Sequence, residues 1–417
     1  MKIVLSHPTG NANVRAIAEN LAEREALVKF HTSIASFPNT LIDKLGALGP
    51  FSEIRRRRYN PIIKPFAQSW PWLEFGRILA SKMKLTSLTK HETGYFSTDA
   101  IFKKFDHHVA STLAAAQKKG AEGVYAYEDI ALNTFKTAKK LGLKCLYDLP
   151  IAYWETGRKL MNEEALRLPD WAITLGGGIS DSEEKLQRKT AELELADVVM
   201  VPGKFVLDSL PAWAKEKKVI VSPFGTPISA NNNNESVKIE KKQNGKLKVL
   251  FVGSMGQRKG LSDLFEAVKI LKRSDIELIV MGSLLAPLEF YKNQLADFTY
   301  EPGRPHQQVL ELMRSCDVFC LPSIVEGRAL VMQEAMSQGL PIIITPNTGG
   351  EDLVIEGETG FLVPIRSPEA IAQKIEWFLE NRSAIPSMSK KAQEHASTYT
   401  WKNYGSTIID SIGQYLN

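Results

Sequence analysis

The chain has 417 residues, of which 44% are hydrophobic, and it carries a net charge of +5. This length allows two domains that each bury a core, and the composition excludes a disordered or collagen-like chain. No apolar run reaches about 18 residues and Met1-Lys2 leads directly into a strand, so we expect no transmembrane helix, no signal peptide and a cytoplasmic location. We interpret Cys145, Cys316 and Cys320 as small core residues of a protein in a reducing compartment.

Short apolar strands alternate with helical patterns through residues 1–228, which we predict to be the first domain. Strands are expected near 2–6, 26–31, 123–127, 143–148, 197–201 and 218–222. This alternation indicates a doubly wound parallel sheet with right-handed crossovers. The first strand leads through Thr9, Gly10 and Asn11 to a helix near Ala12, so Gly10 permits close backbone approach at a helix N-terminus. His107 and the histidine after it are predicted to form the solvated start of an Ala-rich helix.

Residues 51–90 are basic and aromatic. They hold nine lysines and arginines against two acids, Glu53 and Glu74, and tryptophans, phenylalanines and leucines are interleaved with the charges. Such a segment suits the headgroup region of an anionic membrane, so we predict a peripheral membrane contact here. A solvated excursion whose aromatic residues pack on the sheet is the alternative. No nucleic-acid partner is expected, because no recognised binding module accompanies the segment.

A second domain is predicted at residues 246–397, after a linker at 229–245 that is rich in asparagine and charge and cannot bury a core. Its strands are expected near 247–252, 277–281, 317–321, 341–345 and 360–363, with a first helix near 262–272. The last segment, 398–417, is predicted to be a helix with aromatic anchors.

The loop between the first strand and first helix of this second domain is punctuated by glycines. It carries Arg258 and Lys259 between Gly253 and Gly260, which suits an anion cradle, although an exposed basic turn is the common alternative. Metal-dependent transferases often use an Asp-x-Asp pair, and no two aspartates lie two apart in this chain. A site for a diphosphate without a metal ion needs cations and helix amides instead.

Two glutamates, Glu326 and Glu334, lie eight residues apart, after a strand that ends at Pro322. A helix is predicted from Ala329 to Ser337. Open parallel sheets bind ligands at the carboxyl ends of their strands, so the two carboxylates could hold the two ends of a long polyhydroxy ligand. A pair of solvated glutamates on a surface helix is the alternative reading.

These motifs resemble those of the retaining glycosyltransferases of family 4, which have the GT-B fold of two Rossmann-like domains facing across a cleft. The resemblance covers about residues 247–382 and includes Pro-Ser-x-x-Glu, Glu-Ala-Met and the Gly349-Gly350-Glu351 turn. It implies that Glu326 contacts donor-sugar hydroxyls, that Glu334 holds the ribose and that Lys259 binds phosphate. It also implies that the final helix returns to the first domain.

By the same resemblance, the amides of a short segment face the donor, and further residues line the cleft. Those amides belong to Gly327, Arg328, Ala329 and Leu330, and the cleft residues are Ser254 and Gly10 on the donor side and Thr9 and Asn11 on the acceptor side. Tyr153 and Trp154 stand where many members have a histidine that this chain lacks, and we expect them to shape the acceptor pocket instead. Two departures stand out: many members carry arginine where this chain has Ser254, and a histidine common in the family is missing from residues 148–154. Leaving-group stabilisation then depends more heavily on Arg258 and Lys259.

The resemblance therefore implies a retaining glycosyltransferase that uses a UDP- or GDP-sugar and a hydroxyl acceptor, either a glycan or a lipid-linked saccharide. Synthesis of surface polysaccharide or glycolipid is expected, with no metal or other cofactor. The alternatives are a non-catalytic GT-B partner subunit that binds a sugar nucleotide without turnover and a sugar-nucleotide epimerase of similar fold. A dinucleotide oxidoreductase is disfavoured, because no Gly-x-Gly-x-x-Gly follows either first strand.

Overall fold

A computed structural model describes residues 1–46, 54, 57–176, 179–227 and 245–416. Within them the first sheet has seven parallel strands in the order β3-β2-β1-β4-β5-β6-β7. Its strands are β1 Ile3–Ser6, β2 Leu27–Thr32, β3 Ala67–Ser69, β4 Gly123–Tyr127, β5 Lys144–Asp148, β6 Val198–Val201 and β7 Lys218–Val221. Its helices are α1 Ala12–Glu23, α2 Leu41–Leu45, α3 Trp72–Lys82, α4 Thr86–Thr89, α5 Thr98–Gln117, α6 Leu132–Lys140, α7 Trp154–Arg167, α8 Glu183–Leu195, α9 Lys204–Ser209 and α10 Ala212–Lys215.

The second sheet of the described residues has six parallel strands in the order β10-β9-β8-β11-β12-β13. The strands are β8 Leu247–Val252, β9 Ile276–Met281, β10 Thr299–Glu301, β11 Val318–Leu321, β12 Ile342–Ile344 and β13 Gly360–Leu362. The helices are α11 Leu261–Leu271, α12 Leu288–Gln294, α13 His306–Arg314, α14 Leu330–Ser337, α15 Pro368–Glu380, α16 Ile385–Ser397 and α17 Trp401–Leu416. In each sheet the chain first adds strands on one side of its first strand, β1 or β8, and then continues on the other side. Such a switch point opens a crevice at the carboxyl edge of the sheet.

The two predicted Rossmann-like sheets are confirmed, and each strand read from the sequence lies within two residues of its expected limits. Sequence reasoning missed β3 and β10, because both are three-residue edge strands without a buried apolar run. Apolar side chains cover both faces of the first sheet and form one large core in the second domain. Cys145, Cys316 and Cys320 are buried and unbridged, as expected.

The final helix, α17, packs against α1 of the first domain. Tyr404, Ile408 and Ile412 join the same apolar core as Val14 and Ile17. The helix pattern of residues 401–416 predicts this buried stripe, because apolar residues recur at spacings of four. The predicted linker lies outside the described residues except for Gly245, so the domain limits stay predictions.

A buried carboxyl group ties α17 to the sheet at the end of β5. Asp148 accepts hydrogen bonds from the hydroxyls of Tyr125, at 2.6 Å, and Tyr404, at 3.4 Å. Burial raises the pKa of Asp148 to about 7, even though both hydrogen bonds favour its ionised form.

The prediction for the paired histidines is wrong. His107 and His108 lie in the middle of α5, which begins at Thr98 and is capped by the hydroxyl of Ser97. The His108 ring stacks on Trp70 with centroids 4.8 Å apart, so tertiary packing holds it. No helix of the described residues is long and apolar enough to cross a membrane.

Candidate functional site

Two loops at the carboxyl edge of the second sheet are joined through their backbones. The loop after β8 carries Arg258, and its carbonyl accepts hydrogen bonds from the amides of Ile324, at 2.9 Å, and Val325, at 3.3 Å. The loop after β11 carries Glu326 next in the chain. Because β8 and β11 are neighbours in the sheet, residues nearly seventy positions apart meet at one point.

Glu326 lies between two cations at this point. Its Oε1 atom accepts from the Arg258 guanidinium at 2.6 Å and also pairs with the ammonium of Lys259. The side chains of Lys259 and Glu326 are only 12% and 11% exposed, so little water screens the cluster. Burial lowers the pKa of Lys259, Glu326 opposes this shift, and the charge of Arg258 adds to it. Two positive charges thus share one carboxylate, which leaves a partly buried excess of positive charge.

Glu334 does not join this cluster. It lies in the second turn of α14, where its Oε1 atom is 3.0 Å from Nε2 of His306, and its side chain is 17% exposed. His306 begins α13 and is itself half exposed. Sequence reasoning missed His306, because no local pattern links it to Glu334, which lies 28 residues later in the chain.

The segment between Glu326 and α14 packs tightly against its neighbours. This packing corrects the prediction that all the amides from Gly327 to Leu330 face the donor. The amide of Ala329 donates to the carbonyl of Thr348 at 3.2 Å, so it does not face a donor. A Cβ at Gly327 would overlap the carbonyl of Pro150, so only glycine lets this loop touch the first domain. Leu330 packs against the core of the first domain.

The side chain of Arg328 is also committed elsewhere. It is 5% exposed, and its two terminal nitrogens bind both carboxylate oxygens of Asp352, at 2.6 and 3.0 Å. It donates further to Gln333 and to the carbonyl of Gly349. Arg328 therefore braces the loop, and a contact with a donor through its side chain is excluded in this arrangement.

The loop after β1 is closed by a neutral histidine. Nδ1 of His7 lies 3.1 Å from the amide of Thr9 and 2.9 Å from the amide of Gly10. Burial, together with the charge of Arg57, lowers the pKa of His7 to about 3, so the ring stays neutral and accepts. Thr9 also donates to the exposed Asn11. Close approach at Gly10 was expected, and its partner is the Tyr59 hydroxyl, since a Cβ there would overlap that oxygen.

Replacing Gly10 by alanine is therefore expected to destabilise the protein by about 3 kcal/mol, from overlap with Tyr59 and strain at a φ of +63°. Gly120→Ala is the matched control, because φ is +86° there and nothing lies within 4 Å of the added carbon. It should cost only about 1 kcal/mol. Urea unfolding of both variants measures the difference, and equal losses would remove Tyr59 from the explanation.

Tyr153 and Trp154 lie at the start of α7, and Tyr153 does not face an acceptor. Its ring is fully buried, and its hydroxyl is 2.9 Å from Oγ1 of Thr190. This corrects the predicted role of Tyr153, which belongs to the core between the sheet and α8. The indole nitrogen of Trp154 donates to Oγ1 of Thr190 at 3.1 Å, and Trp154 lines an open hollow along α8.

An ionic network that the sequence did not reveal holds the loop after β8 against the first domain. The fully buried Glu164 of α7 accepts from Gln257 at 2.7 Å, from Arg366 at 2.5 Å and from Arg167 at 2.7 Å. Arg167 continues to both oxygens of Asp263, each at 2.9 Å. Burial acts to raise the pKa of Glu164, but these donors outweigh it and lower the pKa. Because Gln257 precedes Arg258, the network sets the position of the cation pair.

One grouping of described side chains has the composition of a metal site. Ligand atoms of His91, Glu92 and Asp181 lie within 4.8 Å of one another. Lys185 donates to Asp181 at 2.8 Å, and Glu92 accepts the Ser182 amide at 3.0 Å. These hydrogen bonds explain the grouping without a metal ion, because they fix the loop at residues 91–92 to the start of α8.

Comparison with known proteins finds relatives for the part of the chain that carries these loops. Residues 232–396 match the family model of the glycosyl transferases group 1. The chain is 30% identical over 183 residues to the capsular polysaccharide biosynthesis glycosyltransferase CapM of Staphylococcus aureus, which is 41% of this chain and 48% of CapM. It is 30% identical over 247 residues to the D-inositol 3-phosphate glycosyltransferase of Corynebacterium urealyticum, 56% of this chain and 53% of that protein. The matches thus span about half of these relatives.

Solved structures match over the whole length and show the GT-B fold. Sucrose-phosphate synthase from Thermosynechococcus elongatus aligns with a TM-score of 0.66 at 18% identity, over 100% of this chain and 99% of that one. Anabaena HepE in complex with UDP aligns with a TM-score of 0.62 at 14% identity, over 99% and 100% of the two chains. The predicted fold is confirmed, and the group 1 family is supported for the C-terminal domain. Assignment to the retaining family 4 stays a prediction.

Proposed function

We propose that this protein is a retaining glycosyltransferase that moves a sugar from a nucleoside-diphosphate donor to a hydroxyl acceptor. The observation that carries the proposal is the cluster of Arg258 and Lys259 on Glu326 in the loops after β8 and β11. A diphosphate is the kind of ligand that such a partly buried excess of positive charge favours, since charge-assisted hydrogen bonds are strongest where water is scarce.

The two cations are suited to the step in which the diphosphate leaves. Negative charge grows on the leaving oxygen in the transition state, and preorganised donors lower the barrier because they are already aimed at that charge. Lys259 and Arg258 fill this role in the proposal, and no bound metal is required. When phosphate oxygens take over the cations, the Glu326 carboxylate becomes free to accept from donor-sugar hydroxyls. Glu334, next to His306, is proposed to hold the ribose.

Among acceptor classes, a saccharide that becomes part of the cell surface has the most support from the relatives. The partial match to a capsular polysaccharide glycosyltransferase favours a glycan or lipid-linked saccharide acceptor, and the UDP complex of the HepE neighbour favours a uridine donor. Retention follows from the resemblance to family 4. The contact between Gly327 and Pro150 places the two domains against each other beside Glu326, which suits exclusion of water from the reaction.

A screen of nucleotide sugars tests the proposal. We expect one UDP- or GDP-sugar to raise the melting temperature with a logarithmic dependence on its concentration, because the ligand binds only the folded state. Slow hydrolysis of that donor, or transfer to an added acceptor, should accompany binding and persist in EDTA. No stabilisation by any nucleotide sugar would contradict the proposal.

The second candidate, a non-catalytic partner subunit, is favoured by Ser254, which places a neutral side chain where many family members have arginine. Stabilisation by a donor without hydrolysis or transfer, with acceptors supplied, would support that candidate.

A further inference from the structure

Helix α3 presents an apolar face to solvent. Trp72, Leu79 and Met83 are 75%, 60% and 59% exposed. Spacings of seven and four residues place the three side chains on one side of a helix, which ends at Lys82 with Met83 as its cap. We call these three residues the α3 apolar face. Large exposed hydrophobic residues are ordinary one at a time, but three aligned on one helix indicate a binding surface.

The other side of α3 is fixed to the body of the protein. Glu74, only 4% exposed, accepts from Arg77 at 2.6 Å and from Arg57 at 2.5 Å. Arg57 also donates to the carbonyl of Pro8 at 3.1 Å, in the loop after β1. The helix is thus held beside the candidate acceptor loop, and its apolar face is directed outward by these bonds.

The chain segment that carries the α3 apolar face is positively charged. Exposed lysines precede and follow that face along the chain, namely Lys64, Lys82, Lys84 and Lys90. The acids in residues 57–98 are Glu74, which is buried, and Glu92, which accepts the Ser182 amide. An acidic counter-surface would therefore meet lysines and no opposing carboxylate on this segment.

The membrane contact predicted for residues 51–90 used the arginines of this segment as surface charges. The structure changes which cations are available for such a contact. Arg57 is bonded internally, and Arg58 lies 3.6 Å from Asp43. Arg55 and Arg56 lie outside the described residues. Lys64, Lys84 and Lys90 are exposed and are the cations that the proposal uses, whereas Arg57 and Arg77 bind the buried carboxylate of Glu74.

The geometry points to an anionic lipid bilayer as the occupant of the α3 apolar face. A tryptophan and two flexible apolar side chains, with exposed lysines before and after them in the chain, match the headgroup boundary, where indole rings reside and lysine ammonium groups meet lipid phosphates. Docking would bring the loop after β1 to the membrane surface, because Arg57 joins that loop to α3. If the proposed function holds, the acceptor is then a lipid-linked saccharide; the docking itself does not depend on that function.

Co-sedimentation with vesicles tests the docking without any sugar donor. The protein should bind phosphatidylcholine vesicles that contain phosphatidylglycerol, and the combined changes Trp72→Ser, Leu79→Ser and Met83→Ser should lower the partition coefficient at least about tenfold. Leu166→Ser and Trp213→Ser are matched controls, because both residues are exposed apolar side chains on other helices. They should bind as the unchanged protein does.

A second variant set separates charge from apolar insertion. Changing Lys64, Lys84 and Lys90 to serine should weaken binding to anionic vesicles at least about tenfold and leave binding to neutral vesicles unchanged. Melting temperature and donor stabilisation should stay the same in all variants, which shows that the fold and the cleft are intact. Binding of the triple apolar variant equal to that of the unchanged protein would overturn the inference. So would self-association through this face without vesicle binding. Neither result bears on the cleft.

Discussion

Replacing Lys259 by alanine is expected to lower turnover at least about a hundredfold, which corresponds to about 2.7 kcal/mol of lost transition-state stabilisation. Its ammonium is almost buried, so water cannot replace the lost charge at the diphosphate. Affinity for the free nucleoside diphosphate should fall about tenfold, the usual scale for one charge-assisted hydrogen bond. Steady-state kinetics and calorimetric titration measure the two effects.

Lys269→Ala is the matched control for this variant. Lys269 lies on α11, directly after the same loop, but it is exposed and pairs with Glu266. Turnover should be unchanged, because an exposed pair contributes little. Activity of Lys259→Ala within a few fold of the unchanged enzyme would contradict the assignment of this loop to the donor.

Replacing Glu326 by glutamine is expected to lower turnover about a hundredfold as well, but with the opposite effect on diphosphate binding. In the free protein the Glu326 carboxylate forms ion pairs with Arg258 and Lys259, so it competes with phosphate oxygens for these two cations. Removing its charge should leave affinity for the nucleoside diphosphate equal or higher. The loss then appears in turnover, because the sugar is no longer oriented.

Glutamine keeps the shape of the side chain, so the fold should survive, and Glu266→Gln, on the exposed surface of α11, is the control. Parallel losses of diphosphate affinity in Lys259→Ala and Glu326→Gln would show that the carboxylate merely holds the loop together. A similar melting temperature in both variants is the condition for this comparison.

The sequence indicated the residues of the candidate site more fully than their arrangement. Lys259 and Arg258 stand in a glycine-punctuated loop and Glu326 follows a strand end, but these local patterns left an exposed basic turn and solvated glutamates open. The resemblance to family 4 singled the three residues out. The bracing role of Arg328 could not be predicted, because Asp352 lies 24 residues away and no spacing rule connects the two. Glu164 was invisible for the same reason: its partner Gln257 is 93 residues distant.

Wrong expectations arose where burial decides a role. Tyr153 follows a strand end as an acceptor residue would, but its ring is directed into the core and its hydroxyl is bonded to Thr190. His107 and His108 were placed at a helix start because the cap formed by Ser97 was not recognised. The arginines of residues 51–90 indicated a basic surface, whereas the side chain of Arg57 is largely buried and pairs with the buried carboxylate of Glu74.

The sequence by itself determined the alternation of strands and helices, the two parallel sheets and the identity of the loops at their carboxyl ends. Hydrophobic periodicity and turn residues are local properties, and they are written in neighbouring positions. Only the tertiary structure decided which side chains share a charge, which amides are already bonded and which apolar residues stay outside. Those outcomes depend on contacts between residues tens of positions apart, where burial and geometry outweigh local preference.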